Sequence, residues 1–340
     1  MTVRWALVGP GRHATRNVLP QFKAAAGAEL AAVVSRDRAR ADELARAHGI
    51  AKAYPTLDEA LADPAIDAIY DATPDGLHAG HIMAAARAGK HALIEKPLAM
   101  SVKEAEQAID AAKRAGVTLG VVFQARHDGV HREARRMVQA GEIGEVVMAH
   151  VFLPMPRPSQ APPPAGGNWR ADPKMRPGGI ASSIGDHAHD TLAFLVGQSV
   201  VEVAAVTDAT QDAPPNERVA SILLKLSGGA IGYAAASFRT PFGRRPLEIH
   251  GTAGSLLLSN SYGNLVGADG EPTIEMVNAA GRRTWAFAPT ECFRLEIESF
   301  SRAIEGKGAP TTTAAEGLRA VAITEAIYES ARTGKAVRIS

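Results

Sequence analysis

The sequence predicts an α/β fold followed by an α+β unit: an N-terminal doubly wound parallel sheet, then a C-terminal open, largely antiparallel sheet domain. Three observations predict it. From Val3 to Phe123, apolar strand-like runs alternate with helical spacings, the pattern of βαβ units. A glycine-rich turn, Gly9-Pro10-Gly11-Arg12-His13-Ala14, lies between the first strand and the first helix, where a phosphate meets a helix N-terminus. After Arg126 the pattern changes to β-like runs joined by turns such as Ser227-Gly228-Gly229, which suits antiparallel pairing. A chain of 340 residues is long for one domain, and the expected division is residues 1–125 and 126–340.

The first strand runs to Val8, and the spacing of Ala14, Val18, Leu19 and Phe22 after the turn is helical. In this G-x-G-x-x-A arrangement Gly9 allows the tight turn, Gly11 lets a pyrophosphate approach, and small Ala14 permits close helix–strand packing. Glu29 to Val34 reads as the second strand. Its end is where a dinucleotide-binding fold inspects the adenosine ribose, and Ser35-Arg36 stands there with Arg38 and Arg40 close behind. Arginine meets a 2′-phosphate with charge-assisted contacts, so NADP(H) is favoured over NAD(H). The alternatives are that these arginines decorate the exposed start of the helix Ala39 to His48, or that Asp37 turns toward the ribose.

Ile66 to Ala72 reads as a further strand closed by Thr73-Pro74, followed by a helix over about Leu77 to Ala88. His91 to Glu95 is a short buried strand, Ser101 with Glu104 three residues on forms a capping box, and Val117 to Phe123 is another strand. Beyond Arg126 a helix spans about Val130 to Ala140 and a strand Val146 to Leu153. A proline-rich connection from Pro154 to Pro177 holds Pro162-Pro163-Pro164 and Trp169-Arg170; the aromatic-basic pair implies that its second half is docked. A helix from about Ile184 to Val196 precedes β-like runs at Val200–Thr207, Val219–Leu226, Ala230–Phe238, Leu247–Gly251 and Ser255–Ser259. Helices at about Cys292 to Glu305 and Thr313 to Thr333 close the chain, and they are expected to pack back on the first domain.

Composition narrows the function. Hydrophobic residues make up 46%, and 37 Lys+Arg against 36 Asp+Glu leave a formal charge of +1, so no basic field draws nucleic acid or an anionic membrane. Cys292 is the single cysteine, which excludes an internal disulfide framework and a cysteine-rich zinc site and suits a cytoplasmic setting. No apolar run approaches a membrane span, and no small-residue cleavage site follows an apolar core.

Two residues carry candidate chemistry. Pro97 has no N–H and ends the strand before it, so Lys96 is presented at a strand's carboxyl end, where open α/β sheets bind ligands, with Glu95 beside it. The bland alternative is a loop lysine next to a turn proline. His187, in Gly185-Asp186-His187-Ala188-His189-Asp190, has an unperturbed pKa suited to proton transfer. His187 and Asp190 share a helix face; Asp186, a sequence neighbour of His187, does not face it. A metal reading would take His187 and His189 with the aspartates, or His127 and His131 at i,i+4, for which the alternative is a solvated helix face. Neither set has a third ligand at diagnostic spacing, so no metal is expected.

The fingerprint at Gly9–Ala14, the stretch Asp67 to Lys96 with Thr73-Pro74, His78 and Glu95-Lys96-Pro97, then Gly141-Glu142-Ile143-Gly144, Gly178-Gly179 running to His187 and Asp190, and Ile249 to Ser255, together resemble the glucose–fructose oxidoreductase / inositol dehydrogenase (Gfo/Idh/MocA) family. The resemblance covers essentially the whole chain. It implies a Rossmann domain and a substrate domain whose open sheet forms homodimers or homotetramers. It also implies hydride transfer between a nicotinamide cofactor and a sugar, polyol or related carbonyl. The cofactor would be bound by Gly9, Pro10, Gly11, Arg12, His13, Ser35, Arg36, Arg40, Thr73, Pro74, His78, Glu95, Lys96 and Arg126. Lys96 would bind the reacting oxygen and His187 exchange its proton, with Trp169, Arg170 and Ser183 also at the substrate. The Ser35/Arg40 pattern and Trp169-Arg170 look most like NADPH-dependent anhydrofructose reductases, from which Pro154 to Pro164 departs. One further departure is Ser183, where the family usually has an aspartate four residues before the histidine. A serine offers only a neutral hydrogen bond there. Alternative readings are a sugar- and nucleotide-binding regulator of the same fold, and a nicotinamide-assisted glycosidase.

Overall fold

The computed structural model describes residues 2–155, 169–209, 216–240, 246–262 and 270–339; the triple proline lies outside them. The chain forms two compact units, one of Met1–Gln124, Lys174–Arg176 and Phe293–Val321, the other of Ala125–Pro173, Pro177–Cys292 and Ala322–Ser340. No helix among the described residues is long and apolar enough to cross a membrane.

The first unit is built on a six-stranded sheet of β1 (Val3–Val8), β2 (Ala28–Val34), β3 (Lys52–Tyr54), β4 (Ala68–Asp71), β5 (His91–Glu95) and β6 (Leu119–Val122), in the order β3-β2-β1-β4-β5-β6. Every pairing in it is parallel. The order reverses between β1 and β4, which opens a crevice at their carboxyl ends. Alternate residues of β1 feed opposite faces: Val3, Trp5 and Leu7 pack with Phe22, Phe293 and Phe300, whereas Ala6 and Val8 join Ile69, Ile82 and Ile94. Residues from Cys292–Ile304 thus complete one face of this sheet.

Polar caps start two helices, at Ser101 as the sequence implies and at Asp37 as well. Asp37 caps α2 (Arg38–His48), and Ser101 Oγ accepts from Glu104 N at 3.3 Å to begin α5 (Val102–Ala115). Glu104 returns a carboxylate to the N–H of Met100 at 3.1 Å, so the box closes one residue earlier than expected. The helix after the fingerprint differs from the continuous one expected: Ala14–Val18 is a π turn that leads into a four-residue α1 (Leu19–Phe22) with Pro20 in its first turn. β3 and α3 (Leu57–Ala62) were not legible because three residues show no period. Between them and β5, α4 spans His78–Arg87.

The second unit holds nine strands in the order β14-β13-β12-β11-β7-β10-β9-β8-β15. They are β7 (Val146–Pro154), β8 (Val200–Thr207), β9 (Val219–Leu226), β10 (Ile231–Ser237), β11 (Leu247–Gly251), β12 (Gly254–Ser259), β13 (Thr273–Asn278), β14 (Gly281–Ala286) and β15 (Val337–Arg338). All pair antiparallel except β7 with β10. β13 to β15 went unread in the sequence, since β14 is an exposed arginine-bearing edge, as edge strands often are. One sheet face packs with α6 (Gly129–Gln139) and α7 (Asp186–Val196) around Val151, Ile184, Leu192 and Ile222. The other face displays Met148, Val206, Leu223, Ile231 and Tyr233, each 38–73% exposed.

Candidate active site

In the first unit, three loops at strand carboxyl ends are tied together. Gly9 has φ +72°, and a Cβ there would lie 2.6 Å from Thr73 Cγ2, so only glycine lets the turn after β1 approach the turn after β4. His13 Nε2 lies 3.1 Å from Glu95 Oε1, and Tyr70 donates to the same oxygen at 2.8 Å. Burial works to raise the Glu95 pKa, but His13, Tyr70 and neighbouring Lys96 hold it below the ordinary carboxylate value. Tyr70 is held up in turn, by burial and then by Glu95. Lys96 follows directly, half-buried, through a cis peptide to Pro97.

His78 is fully buried, with Nδ1 2.7 Å from Pro97 O and Nε2 3.1 Å from Thr73 O. Both ring nitrogens face backbone, so it joins the Thr73-Pro74 loop to the Glu95-Lys96-Pro97 loop. Asp71, also fully buried, receives His81 Nδ1 at 2.8 Å and Thr73 N at 3.0 Å. Burial pushes its pKa up, and the bonds from His81 and Thr73 with the nearby His78 bring it below the usual range. Tyr70, Asp71 and His81 were not singled out from sequence; their role exists only once β4 and β5 lie side by side.

At the ribose end, Asp37 Oδ1 accepts from Arg40 N at 3.1 Å and Ser35 Oγ from Asp37 N at 3.3 Å. That carboxylate oxygen therefore serves the helix start. Arg38 pairs with Asp42 at 2.9 Å on the helix surface and Arg36 is exposed. Arg40 turns back, donating to Pro10 O in the glycine-rich turn at 3.0 Å. Space over Gly11 is open, its nearest neighbour for a Cβ being Gly9 O at 3.9 Å. An uncluttered backbone at that point, with Arg12 exposed beside it, suits a dinucleotide pyrophosphate, so the residues fit the implied cofactor.

In the second unit, the segment leading into α7 is fixed by a carboxylate that sequence reasoning missed. Glu217, 2% exposed, accepts from Gly179 N at 3.1 Å, Ala181 N at 2.9 Å and Tyr328 Oη at 2.9 Å. Burial and then Glu217 push the Tyr328 pKa well up, which keeps its hydroxyl a donor. A Cβ on Gly178 or Gly179 would strike the Tyr328 hydroxyl or the Glu217 carbonyl. No motif marks Glu217, which is 38 residues from Gly179. The fixed segment carries Ser183, half-buried in the π turn Ala181–Gly185, and buried His187 one turn later. The two aspartates near His187 each have a partner of their own. Asp186 accepts from Thr324 at 2.7 Å and lies 3.5 Å from His189, while Asp190 receives a two-pronged contact from Arg126 at 2.6 and 3.0 Å. Arg126 is thus placed on α7. Arg170 lies over the Trp169 ring at 4.4 Å, and Lys174–Arg176 belong to the first unit, with Met175 O accepting from Gly76 N at 3.2 Å.

The reading of His127 and His131 as a solvated helix face is corrected. His127 is 4% and His131 0% exposed, and His131 packs edge-on against Tyr262 with Nδ1 2.8 Å from Ala125 O. Burial lowers its pKa against the pull of Asp128. Sequence patterning missed this because His127 lies in a short turn before α6 and His131 is covered by Tyr262, a residue far along the chain. Among the described residues, His127, His131, His187 and His189 belong to no group of three converging metal-ligating side chains.

Residues 3–123 match the oxidoreductase family with NAD-binding Rossmann fold, and residues 131–257 match the GFO/IDH/MocA C-terminal domain. The chain is 32% identical to a 1,5-anhydro-D-fructose reductase of Ensifer adhaerens, over 99% of this chain and 98% of that one. It is also 32% identical to D-xylose 1-dehydrogenase (NADP(+)) 2 of Haloferax volcanii, over 98% and 99%. Among solved structures, the aldose-aldose oxidoreductase of Caulobacter crescentus, complexed with glycerol, superposes with a TM-score of 0.86 at 24% identity, over 99% of this chain and 100% of that one. With the fingerprint turn at the β1/β4 crevice, the glycines packed under Tyr328 and Glu217, and both family regions matched, this chain belongs to the Gfo/Idh/MocA family of NAD(P)-binding oxidoreductases.

Proposed function

We propose that this protein is an NADP(H)-dependent oxidoreductase that transfers hydride to or from a sugar, polyol or related carbonyl compound. The observation that carries the cofactor choice is Arg40, held by Pro10 O at the edge of the glycine-rich turn while Asp37 caps the helix. A guanidinium placed there suits a 2′-phosphate, whereas an acidic residue would suit the ribose hydroxyls of NAD. The family description names NAD and one relative's name NADP+, so the chain's own residues must decide. The substrate class is that of the relatives, and both named above act on sugars or a sugar derivative. A bound nicotinamide supplies the hydride acceptor or donor. In this reading Lys96 binds and polarises the reacting oxygen, and His187 gives or takes its proton. Net oxidation of NADPH by sugar-like carbonyls is the expected result. Binding of both ligands with no net turnover would instead favour a regulator, the reading that Ser183 supports.

Ser183 also bears on direction. An aspartate one turn before His187 would stabilise the imidazolium by up to a few kcal/mol if dry, about 2 or so. Without one, His187 is the weaker base, which favours donating a proton to a carbonyl being reduced. Ser183→Asp raises the histidine's pKa in this reading, so the limb of the pH–rate profile that requires neutral histidine moves to higher pH in the oxidation direction. Initial rates in both directions across roughly pH 5 to 9 test this; an identical profile in the variant withdraws it.

The open face of the nine-stranded sheet offers the surface for self-association. Val206, Leu223, Ile231 and Tyr233 are exposed on adjacent strands β8, β9 and β10, a contiguous apolar patch of the kind that marks a protein interface. A second copy of the chain is the proposed occupant. Val206→Glu with Leu223→Glu is expected to convert a dimer or tetramer to monomers by light scattering. A wild-type protein already monomeric at micromolar concentration would refute it.

A further inference from the structure

We infer that His150, Glu248 and His250 form a transition-metal site of the zinc class on the open face of the second unit's sheet. The register dictates the convergence. His150 on β7 pairs directly with Glu248 on β11, and His250 lies two residues further along β11, so all three side chains leave the same face. His150 Nε2 lies 3.6 Å from Glu248 Oε1, and His250 Nε2 lies 3.4 Å from Glu248 Oε2. All three donor atoms fall within 4.8 Å of one another.

These separations decide between two readings. A hydrogen-bonded His–Glu–His cluster would show N···O distances of about 2.7 to 3.2 Å, and both contacts are longer. Ligand atoms on a tetrahedral zinc, each about 2.0 to 2.1 Å from the ion, stand about 3.3 Å apart. Each histidine nitrogen therefore stands near the ligand spacing from one oxygen of the Glu248 carboxylate, a different oxygen for each ring, and with one atom taken from each residue the three lie within 4.8 Å. The imidazole rings are stacked, with centroids 5.7 Å apart and planes at 29°.

Further support comes from the outer ring of contacts. His250 Nδ1 lies 2.8 Å from Ser255 Oγ, on the strand paired with β11. A hydroxyl accepting from Nδ1–H fixes the tautomer that leaves the Nε2 lone pair aimed at the cluster, as partners of metal-bound histidines do. In the single chain the side chains are 28–35% exposed, on the face proposed above for self-association. Two imidazoles and one carboxylate select zinc, nickel or cobalt over magnesium and calcium, which prefer all-oxygen sets. Tyr233 and Met148, the register partners of His150 and His250 on the same face, border the site. No step of hydride transfer involves it.

Zinc chloride titrated into chelator-stripped, full-length protein, against a chromogenic chelator of micromolar affinity, tests the inference. One zinc per chain is expected, not displaced by millimolar magnesium or calcium. His150→Ala, Glu248→Gln and His250→Ala should each weaken binding at least 10-fold, and Ser255→Ala about 10-fold, by losing the tautomer lock. NADPH affinity and melting temperature measured without metal should stay at wild-type values in every variant, and the zinc-induced rise in melting temperature should disappear. A wild type that takes up no stoichiometric zinc, or zinc uptake unchanged in the His150→Ala/His250→Ala double variant, overturns the assignment. The three side chains would then be a surface ion cluster only.

Discussion

Lys96→Met is expected to abolish turnover while NADPH affinity stays near its wild-type value. In the proposed mechanism the ammonium touches the reacting oxygen, where charge changes as hydride moves, so its contribution is concentrated in the transition state. Removing one such group costs about 10²- to 10⁴-fold in kcat. Methionine keeps most of the length and apolar volume of the stem, so β5 and the loop held by His78 should be undisturbed. Glu95 keeps His13 and Tyr70 as partners at its Oε1. Steady-state rates on the true substrate, with cofactor titrations beside them, make the measurement. Near-wild-type kcat would remove Lys96 from the chemistry, and a loss confined to NADPH binding would make it a cofactor residue alone.

The second large effect is on cofactor choice. Arg40→Ala should weaken NADPH binding by about 1.5 to 3 kcal/mol, the range for a hydrogen bond to a charged group, or roughly 10- to 150-fold. NADH affinity should change far less, because the 2′-phosphate is the only part of the ligand at issue. The comparison also separates recognition from structure: Arg40 braces Pro10 O, and damage to the turn would weaken both cofactors alike. Parallel loss of both would assign Arg40 a structural role, and a wild type that binds NADH as tightly as NADPH would withdraw the preference for NADP(H).

The local settings of Lys96 and His187 were legible because their motifs are short: a strand ended by a proline, and a histidine at a helix start. Neighbouring groups were not. Tyr70 reads as one apolar residue in a buried strand until β5 lies beside β4 and Glu95 accepts its hydroxyl. The two carbonyls that His78 joins, from two loops, appear only in the folded chain. Glu217 is one acidic residue among 36, yet it fixes the approach to α7. Its partners come from segments 36 to 111 residues away.

The sequence by itself determined the alternation of elements, the glycine turn and the capped helices, because these depend on periodicity and on residues within a few positions of one another. It also carried the family signature along nearly its whole length. Only the tertiary structure decided which polar groups support which loops, that the His127/His131 face is buried, and that His150 meets Glu248 and His250. Those outcomes depend on strand register and on the pairing of distant segments, and a shift of one residue would send every side chain of a strand to the other face.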